Sequence, residues 1–245
     1  MEQVSLPVIG YIHSPLVEKF GIPRQPNLVD VPARIELLAP YDDARAFEGI
    51  TAFSHVWLIW RFHHNKDALF RPQIRPPRLG GNAKIGVFAS RSMYRPSALG
   101  LSVVRLDRVE VGQGKAVLHV LGADLLHGTP IIDIKPYVAY ADAWPNARSG
   151  FAPDAPQRLP VQWSETASQQ VGSLLAAGQL QAGQLPLIEQ LLALDPRPAY
   201  QDDEREYGMA YDQVNVRFVV RSSAQEQQVS ADGLSVVWIK EVWAR

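Results

Sequence analysis

The chain has 245 residues, with 24 lysines and arginines against 25 aspartates and glutamates, and it has no cysteine. This length is sufficient to bury a substantial hydrophobic core, and the lack of cysteine excludes structural disulfides, thiolate zinc sites and a cysteine nucleophile. The first residues lack a basic region followed by an apolar one, and no apolar run approaches the roughly 18 residues of a membrane-spanning helix, so we expect a cytoplasmic protein with no membrane partner.

Short apolar runs and two-residue alternation dominate the first part of the chain and predict strands. The predicted strands are residues 4–12, 31–38, 53–62, 84–90, 101–109, 115–122 and 130–134. A helical turn capped by Asp42 is predicted at 42–47, and Trp57 and Trp60 are predicted to lie in the core. Because no helix-length pattern separates the strands, an antiparallel barrel or closed sandwich is favoured over a parallel βαβ sheet.

A connection rich in proline follows, with Pro145, Pro153, Pro156 and Pro160. Beyond it, helices are predicted at 164–177 and 184–194, and strands at 213–220 and 234–242. The sequence therefore predicts a mainly β protein, with an antiparallel β-barrel domain at 1–150 and a small α+β domain at 151–245.

Positive charge is concentrated in the middle of the chain. Residues 61–108 hold ten lysines and arginines against two aspartates, whereas residues 141–245 hold 13 acidic residues against eight basic ones. Such a basic stretch indicates a patch for phosphates or another polyanion, and the alternative is a set of separately solvated arginines.

Three loops in the first part of the chain combine glycine or proline with polar donors: 19–26 (KFGIPRQP), 75–82 (RPPRLGGN) and 90–100 (SRSMYRPSALG). Glycines let backbone amides approach an anion, and arginines bind carboxylates or phosphates through a planar fork. None of the loops matches a phosphate-binding P-loop or the GxGxxG dinucleotide fingerprint, which disfavours a nucleotide kinase or a Rossmann oxidoreductase. The first loop is also consistent with an ordinary connection between strands.

The segment 124–137 (DLLHGTPIIDIKPY) places Asp133, Lys135 and Tyr137 at alternate positions of a predicted strand, and therefore on one face. An acid there could accept a proton, or the first two could be a structural ion pair. The adjacent His63 and His64 follow another predicted strand, but neighbouring strand residues point to opposite sides, so we expect no metal site.

In order along the chain, the stretches that carry a family resemblance are 20–25 (FGIPRQ), 53–57 (FSHVW), 75–82, 86–92 (GVFASRS), 95–96, 100–102 and 124–137, with 195–200 and 215–218 further on. Together they resemble the TsaA-like or YaeB-like family, described as TrmO. Its members are tRNA N6-methyltransferases that act on threonylcarbamoyl-adenosine.

The resemblance implies a β-barrel methyltransferase, unrelated to the Rossmann type, that holds S-adenosylmethionine near a homodimer interface. It implies methylation of N6 of the modified adenosine at position 37 of a threonine tRNA. The cofactor contacts implied are Pro23, Arg24, Gln25, His63, His64, Arg91, Leu101, Asp124, Leu125, Leu126 and His127. We expect Asp133, Lys135 and Tyr137 to orient the base or take its proton, and Arg75, Arg78 and Arg95 to bind tRNA phosphates.

Three positions depart from the family pattern: Ser97, where asparagine is usual after Arg-Pro; His127, where aspartate is usual; and His64, where glutamine often follows the first histidine. These departures leave an alternative in which the chain binds S-adenosylmethionine or a nucleotide as a sensor without turnover. A structural nucleic-acid-binding protein is a further alternative, although the acidic C-terminal part disfavours it.

Overall fold

A computed structural model describes residues 3–64, 69–198, 205–221 and 235–245. They form two compact units, the first made of Met1–Pro15 and Arg24–Pro153 and the second of Leu16–Pro23 and Asp154–Arg245. The second unit thus includes eight residues, Leu16–Pro23, from within the sequence predicted to form the barrel domain. A single domain boundary near residue 150 does not describe this division.

The described residues of the first unit form eight strands: β1 Gly10–His13, β2 Pro32–Leu37, β3 His55–Arg61, β4 Gln73–Ile74, β5 Ile85–Gly86, β6 Leu99–Gly112, β7 Lys115–Leu121 and β8 Pro130–Pro136. Six of them close into a barrel in the order β1-β2-β7-β6-β3-β8, and every pair in it is antiparallel. The remaining two, β4 and β5, form a separate two-stranded ribbon. The predicted antiparallel barrel is confirmed.

The barrel core follows from the two-residue alternation of its strands. Along β3, Val56, Leu58 and Trp60 are buried, while the residues between them are partly exposed. The same alternation on the other strands fills the interior with Ile12, Ile35, Val104, Leu118 and Val120. Trp60 is in the core as predicted, but Trp57 is not, because it occupies the outward phase of its strand.

Two local predictions differ from the structure. The strand predicted at 84–90 is reduced to β5, because the amide and hydroxyl of Ser90 both donate to the Val87 carbonyl and close a 3₁₀ turn over Val87–Ala89. The turn predicted at 42–47 is a 3₁₀ helix over Ala44–Phe47, and it is capped by Asp43 rather than Asp42. Asp42 is instead paired with Lys115, at 2.8 Å.

The second unit contains a four-stranded sheet of β9 Val161–Trp163, β10 Tyr207–Tyr211, β11 Val214–Arg221 and β12 Val236–Ala244. The strand order is β10-β11-β12-β9, with β9 parallel to its neighbour. The short helix α1 (Ala139–Asp142) belongs to the first unit. The helices α2 (Glu165–Ala176) and α3 (Leu185–Ala193) belong to the second.

The predicted α+β character of this C-terminal part is confirmed. Ser164 caps α2 by accepting from the amide of Ala167, and Pro186 lies in the first turn of α3. The strands β9 and β10 were not predicted, and residue 234, the start of the last predicted strand, lies outside the described residues. No helix in the described ranges is both long enough and apolar enough to cross a membrane.

Candidate cofactor and substrate site

Asp124 is the centre of a polar cluster at one end of the barrel, just after β7. Its carboxylate oxygen Oδ1 accepts a hydrogen bond of 2.7 Å from the Ser102 hydroxyl. That hydroxyl in turn accepts from the indole N–H of Trp60 at 3.1 Å. Since Ser102 is only 1% exposed, this chain of hydrogen bonds fixes Asp124 from inside the barrel.

Burial raises the pKa of Asp124 above its ordinary value, against lowering by the Ser102 hydroxyl, the residue's own backbone amide and the positive charge of Arg91. The guanidinium of Arg91 donates to the side-chain oxygen of Gln25, 2.5 Å away. The structure thus brings together three residues that lie far apart in sequence, Gln25, Arg91 and Asp124. We call them the mouth cluster.

The residues after Asp124 differ in how they face this site. Leu125 is buried in the barrel core, so only its backbone is available to a ligand. The Leu126 carbonyl accepts from the hydroxyl of Thr129 at 2.7 Å. His127 is exposed, and its ring packs edge to face against His13 at 5.2 Å between centroids.

The other predicted cofactor residues, Pro23, Arg24, His63 and His64, differ from one another in burial and in contacts. Arg24 is exposed, whereas Pro23 is buried and belongs to the second unit. The rings of His63 and His64 meet edge to face at 4.3 Å. Within the described ranges, no three histidine or acidic side chains are placed to hold a metal ion.

A second group of predicted residues lies on the outer wall of the barrel. On β8, Asp133 lies opposite Ile59 and Lys135 opposite Trp57, and both partners are outward residues of β3. Leu101, 52% exposed, flanks Ile59 from the other side. The outer wall therefore joins one predicted cofactor contact to the predicted reacting residues.

Tyr137 continues this wall, and its ring lies 5.9 Å from that of Trp57. The indole N–H of Trp57 donates to Asp142 at 3.0 Å, and the same carboxylate oxygen accepts from the backbone of Val138. These two donors hold the pKa of Asp142 below its ordinary value. Asp133 accepts from the amide of Ile134, and in the described part of the chain it forms no salt bridge with Lys135.

The three predicted phosphate-binding arginines lie in different settings. Arg75 and Arg78 are exposed, the latter within a 3₁₀ helix over Pro77–Leu79. Arg95 is half-buried and donates to the backbone carbonyls of Ser90 and Ser92, at 2.9 and 3.4 Å. Arg95 therefore also supports its own loop. Lys66, part of the basic stretch, lies outside the described residues.

Sequence reasoning included 100–102 among the stretches that carry the resemblance, but it assigned no structural role to Ser102, to Gly100 or to the indole N–H of Trp60. A side chain at Gly100 would overlap the Trp60 ring, because a Cβ built there would lie only 2.3–2.7 Å from three ring atoms, much closer than van der Waals contact allows. The available signal was a serine at an inward strand position, two residues before the buried Val104. A buried hydroxyl requires partners, and the nearest ones are the indole and the carboxylate.

Comparison with known proteins agrees with this architecture. Residues 11–143 match the family described as tRNA-methyltransferase O N-terminal domain, and residues 156–231 match the TrmO C-terminal domain. The barrel with its polar mouth and its small α+β partner therefore defines a member of a tRNA-methyltransferase class. The chain belongs to the TrmO family.

The relatives cover between two thirds and nearly all of the chain. The tRNA (adenine(37)-N6)-methyltransferase of Escherichia coli is 41% identical over 224 residues, which are 89% of this chain and 94% of that protein. The protein of the same name from Eikenella corrodens is 48% identical over 168 residues, 68% of this chain and 90% of that one. A crystal structure of TrmO from Pseudomonas aeruginosa superposes with a TM-score of 0.76 at 36% identity, covering 100% of this chain and 99% of that one.

Proposed function

We propose that this chain is an S-adenosylmethionine-dependent methyltransferase that methylates N6 of adenosine 37 in tRNA. The single observation that carries the proposal is the mouth cluster, where Gln25, Arg91 and Asp124 meet on a barrel of the TrmO family. We further propose that the substrate base is threonylcarbamoyl-adenosine in a threonine tRNA, as the sequence resemblance implies.

The donor set fits the cofactor. A guanidinium and an amide suit the cofactor's carboxylate, an aspartate suits a ribose hydroxyl or an amino group, and an exposed leucine suits the adenine ring. In our proposal Arg91 and Gln25 bind the carboxylate of the cofactor. Asp124 binds a ribose hydroxyl or the amino group, and Leu101 packs against the adenine ring. When bound, S-adenosylmethionine supplies a methyl group on a positively charged sulfur, and the sulfur leaves as a neutral thioether.

Asp124 is suited to this role because Ser102 holds one of its oxygens in place before a ligand arrives. A preorganised acceptor spends little free energy on ordering when it binds. We propose that Pro23, Arg24, His63, His64 and the backbone of 125–127 are further cofactor contacts.

On the outer wall, Asp133, Lys135 and Tyr137 are proposed to orient the target base. The nitrogen N6 gains a methyl group and loses its hydrogen as a proton, so the Asp133 carboxylate can take that proton late in the reaction, while the Lys135 ammonium and the Tyr137 hydroxyl can orient the base by hydrogen bonds. Alanine at each of the three positions is expected to lower kcat with cofactor affinity retained. Unchanged turnover in all three variants would remove them from the mechanism.

The exposed Arg75 and Arg78, with Arg95, are proposed to bind tRNA phosphates. Each phosphate contact releases a counterion, so tRNA affinity should fall steeply as salt concentration rises. We also propose a cytoplasmic homodimer. Phe70 and Phe88 are both exposed, Phe88 by 72%, and their ring centroids lie 6.3 Å apart. This apolar pair supports a contact with a second copy of the chain.

The test is a transfer assay with cofactor labelled on its methyl group and threonine tRNA with or without the threonylcarbamoyl modification. We expect label in the modified tRNA only. A chain that binds the cofactor but labels neither tRNA would be a sensor, and the proposed activity would be wrong. Light scattering on the same sample tests the homodimer.

A further inference from the structure

Trp57 lies on the outer wall of the barrel and has no role in the function proposed so far. The strand β3 turns it outward, so its ring is half-buried instead of forming part of the core. On one side Trp57 pairs with Val103 of β6, and on the other it pairs with Lys135 of β8. A large aromatic ring therefore lies beside one of the proposed reacting residues.

The polar edge of this ring is already bonded within the first unit. The indole N–H donates to Oδ2 of Asp142 at 3.0 Å, and the backbone amide of Val138 donates to the same oxygen at 2.9 Å. The amides of Ala141 and Asp142 both donate to the Val138 carbonyl, which closes the turn after β8. Because the indole has a single donor, the ring has only its π face left for a ligand.

Tyr137 holds the ring of Trp57 from a second direction. Its amide donates to the His55 carbonyl at 3.0 Å, which continues the pairing with β3 beyond the end of β8. Its ring centroid lies 5.9 Å from that of Trp57 and 6.1 Å from that of His55. Spacings of this size are those of interacting aromatic rings. We call Trp57 and Tyr137 the aromatic platform.

The charge beside the aromatic platform suits a nucleic acid. Lys135 is exposed, and so is Arg61, which occupies the outward phase at the end of β3. Proteins bind the unstacked bases of single-stranded RNA loops by stacking them on aromatic side chains, while basic groups meet the phosphates. A half-exposed ring with exposed cations near it has both parts of this arrangement.

We propose that Trp57 is a substrate-binding residue on which the adenine ring of nucleotide 37 stacks, and that Asp142 is a positioning residue that holds this ring. Stacking occupies the face of the adenine and leaves its edge, with N6, free to meet Asp133 and Lys135. The inference rests on the proposed function for the identity of the base. The contacts that hold the aromatic platform do not depend on it.

The experiment measures the Kd of the full chain for two anticodon stem-loops, one with threonylcarbamoyl-adenosine at position 37 and one without a base there. The wild type should bind the first about tenfold more tightly, because base–aromatic stacking is lost with the base. Trp57→Ala should weaken binding of the first about tenfold and leave binding of the second within about twofold. The Kd for S-adenosylmethionine should not change.

Kinetics on modified threonine tRNA give a second readout. Stacking holds the base in both the ground state and the transition state, so Trp57→Ala should raise KM about tenfold with a smaller effect on kcat. If Trp57→Ala does not fold, Trp57→Leu replaces it, because leucine keeps apolar area on the strand but has no ring for a base.

Asp142 is tested through its hydrogen bond to the indole. Asp142→Ala removes the acceptor and should raise the KM for tRNA about three- to fivefold, whereas Asp142→Asn keeps an oxygen there and should restore most of the loss. Trp57→Phe keeps a ring but has no N–H, so adding Asp142→Ala to it should change KM less than in the wild type. A general loss of stability would not give this dependence on residue 57.

Tyr41→Ala is the matched control. Tyr41 is an aromatic residue of the same unit, 39% exposed, and it follows β2, which is opposite β3 in the six-stranded order. Its loss should change neither stem-loop affinity nor KM.

Equal weakening of both stem-loops in Trp57→Ala, or no weakening of either, would overturn the inference, as would a wild type that does not distinguish them. A dimer that becomes a monomer in Trp57→Ala, seen by light scattering, would also overturn it, because the ring would then belong to a contact between copies. A wild type that binds the modified stem-loop more tightly but transfers no methyl group would contradict the proposed activity instead. In that case the stem-loop comparison would still decide whether base 37 stacks on Trp57.

Discussion

Replacing Ser102 by alanine removes the hydroxyl that joins Trp60 to Asp124 inside the barrel. The indole N–H, which donates to Ser102 at 3.1 Å, is left without its partner in a buried position. An unsatisfied buried donor costs about 1–3 kcal/mol, and loss of the second hydrogen bond, from Ser102 to Asp124, adds about 0.5–1.5 kcal/mol. We therefore expect the free energy of unfolding to fall by about 2–4 kcal/mol.

The same substitution changes the ionisation of Asp124. The Ser102 hydroxyl lowers the pKa of this carboxyl against the raising effect of burial, so its removal should shift the pKa further upward. Urea unfolding gives the stability, and cofactor affinity measured across pH gives the titration. Ser102→Thr is the matched control, because it keeps a hydroxyl at the same position. An alanine variant as stable as the wild type, with an unchanged pH profile, would refute the hydrogen-bonded chain.

The remaining predictions concern the same end of the barrel. Asp124→Asn should bind the cofactor more weakly yet be more stable than the wild type. Because folding raises the pKa of Asp124, the protonated side chain stabilises the folded state at pH values below the ordinary pKa of aspartate. This stabilisation is lost as the pH rises from the ordinary pKa through the raised pKa of the folded state. The stability gap, measured by thermal melting, should therefore widen with pH across that window. Gly100→Ala should destabilise by about 1–3 kcal/mol in urea unfolding, since the added methyl group overlaps the Trp60 ring. Arg91→Lys keeps the charge but loses the planar fork, so calorimetry should show cofactor affinity about tenfold weaker with unfolding unchanged, because the side chain is exposed.

The barrel could be predicted because its strands carry a strict alternation. Val56, Leu58 and Trp60 lie on one phase of β3, and the sequence contains no helix-length pattern that would separate the strands. The strands β9, of three residues, and β10, of five residues at the edge of the sheet, were not predicted. Strands this short are stabilised by pairing with neighbouring strands, and their own sequences are too short to show a clear alternation. The Val87–Ala89 turn escaped because a serine side chain competes for a backbone carbonyl.

For the site, sequence patterns indicated which loops matter but not which residues meet. Gln25 and Arg91 are 66 positions apart, and only the closed barrel brings them within hydrogen-bonding distance. The assignment of Leu16–Pro23 to the second unit was beyond sequence reasoning for the same reason. The rings that stack on Phe20 belong to Tyr207 and Phe218, 187 and 198 positions further along the chain, and local pattern carries no information about such pairings.

The most direct test of the proposed activity is mass spectrometry of tRNA nucleosides from a strain in which the gene for this chain has been deleted. The account predicts that threonine tRNA in the deletion strain carries threonylcarbamoyl-adenosine without its N6 methyl group. It also predicts that the wild-type gene restores the methyl group, whereas a gene encoding Asp124→Asn restores little of it. Full methylation at position 37 in the deletion strain would contradict the account.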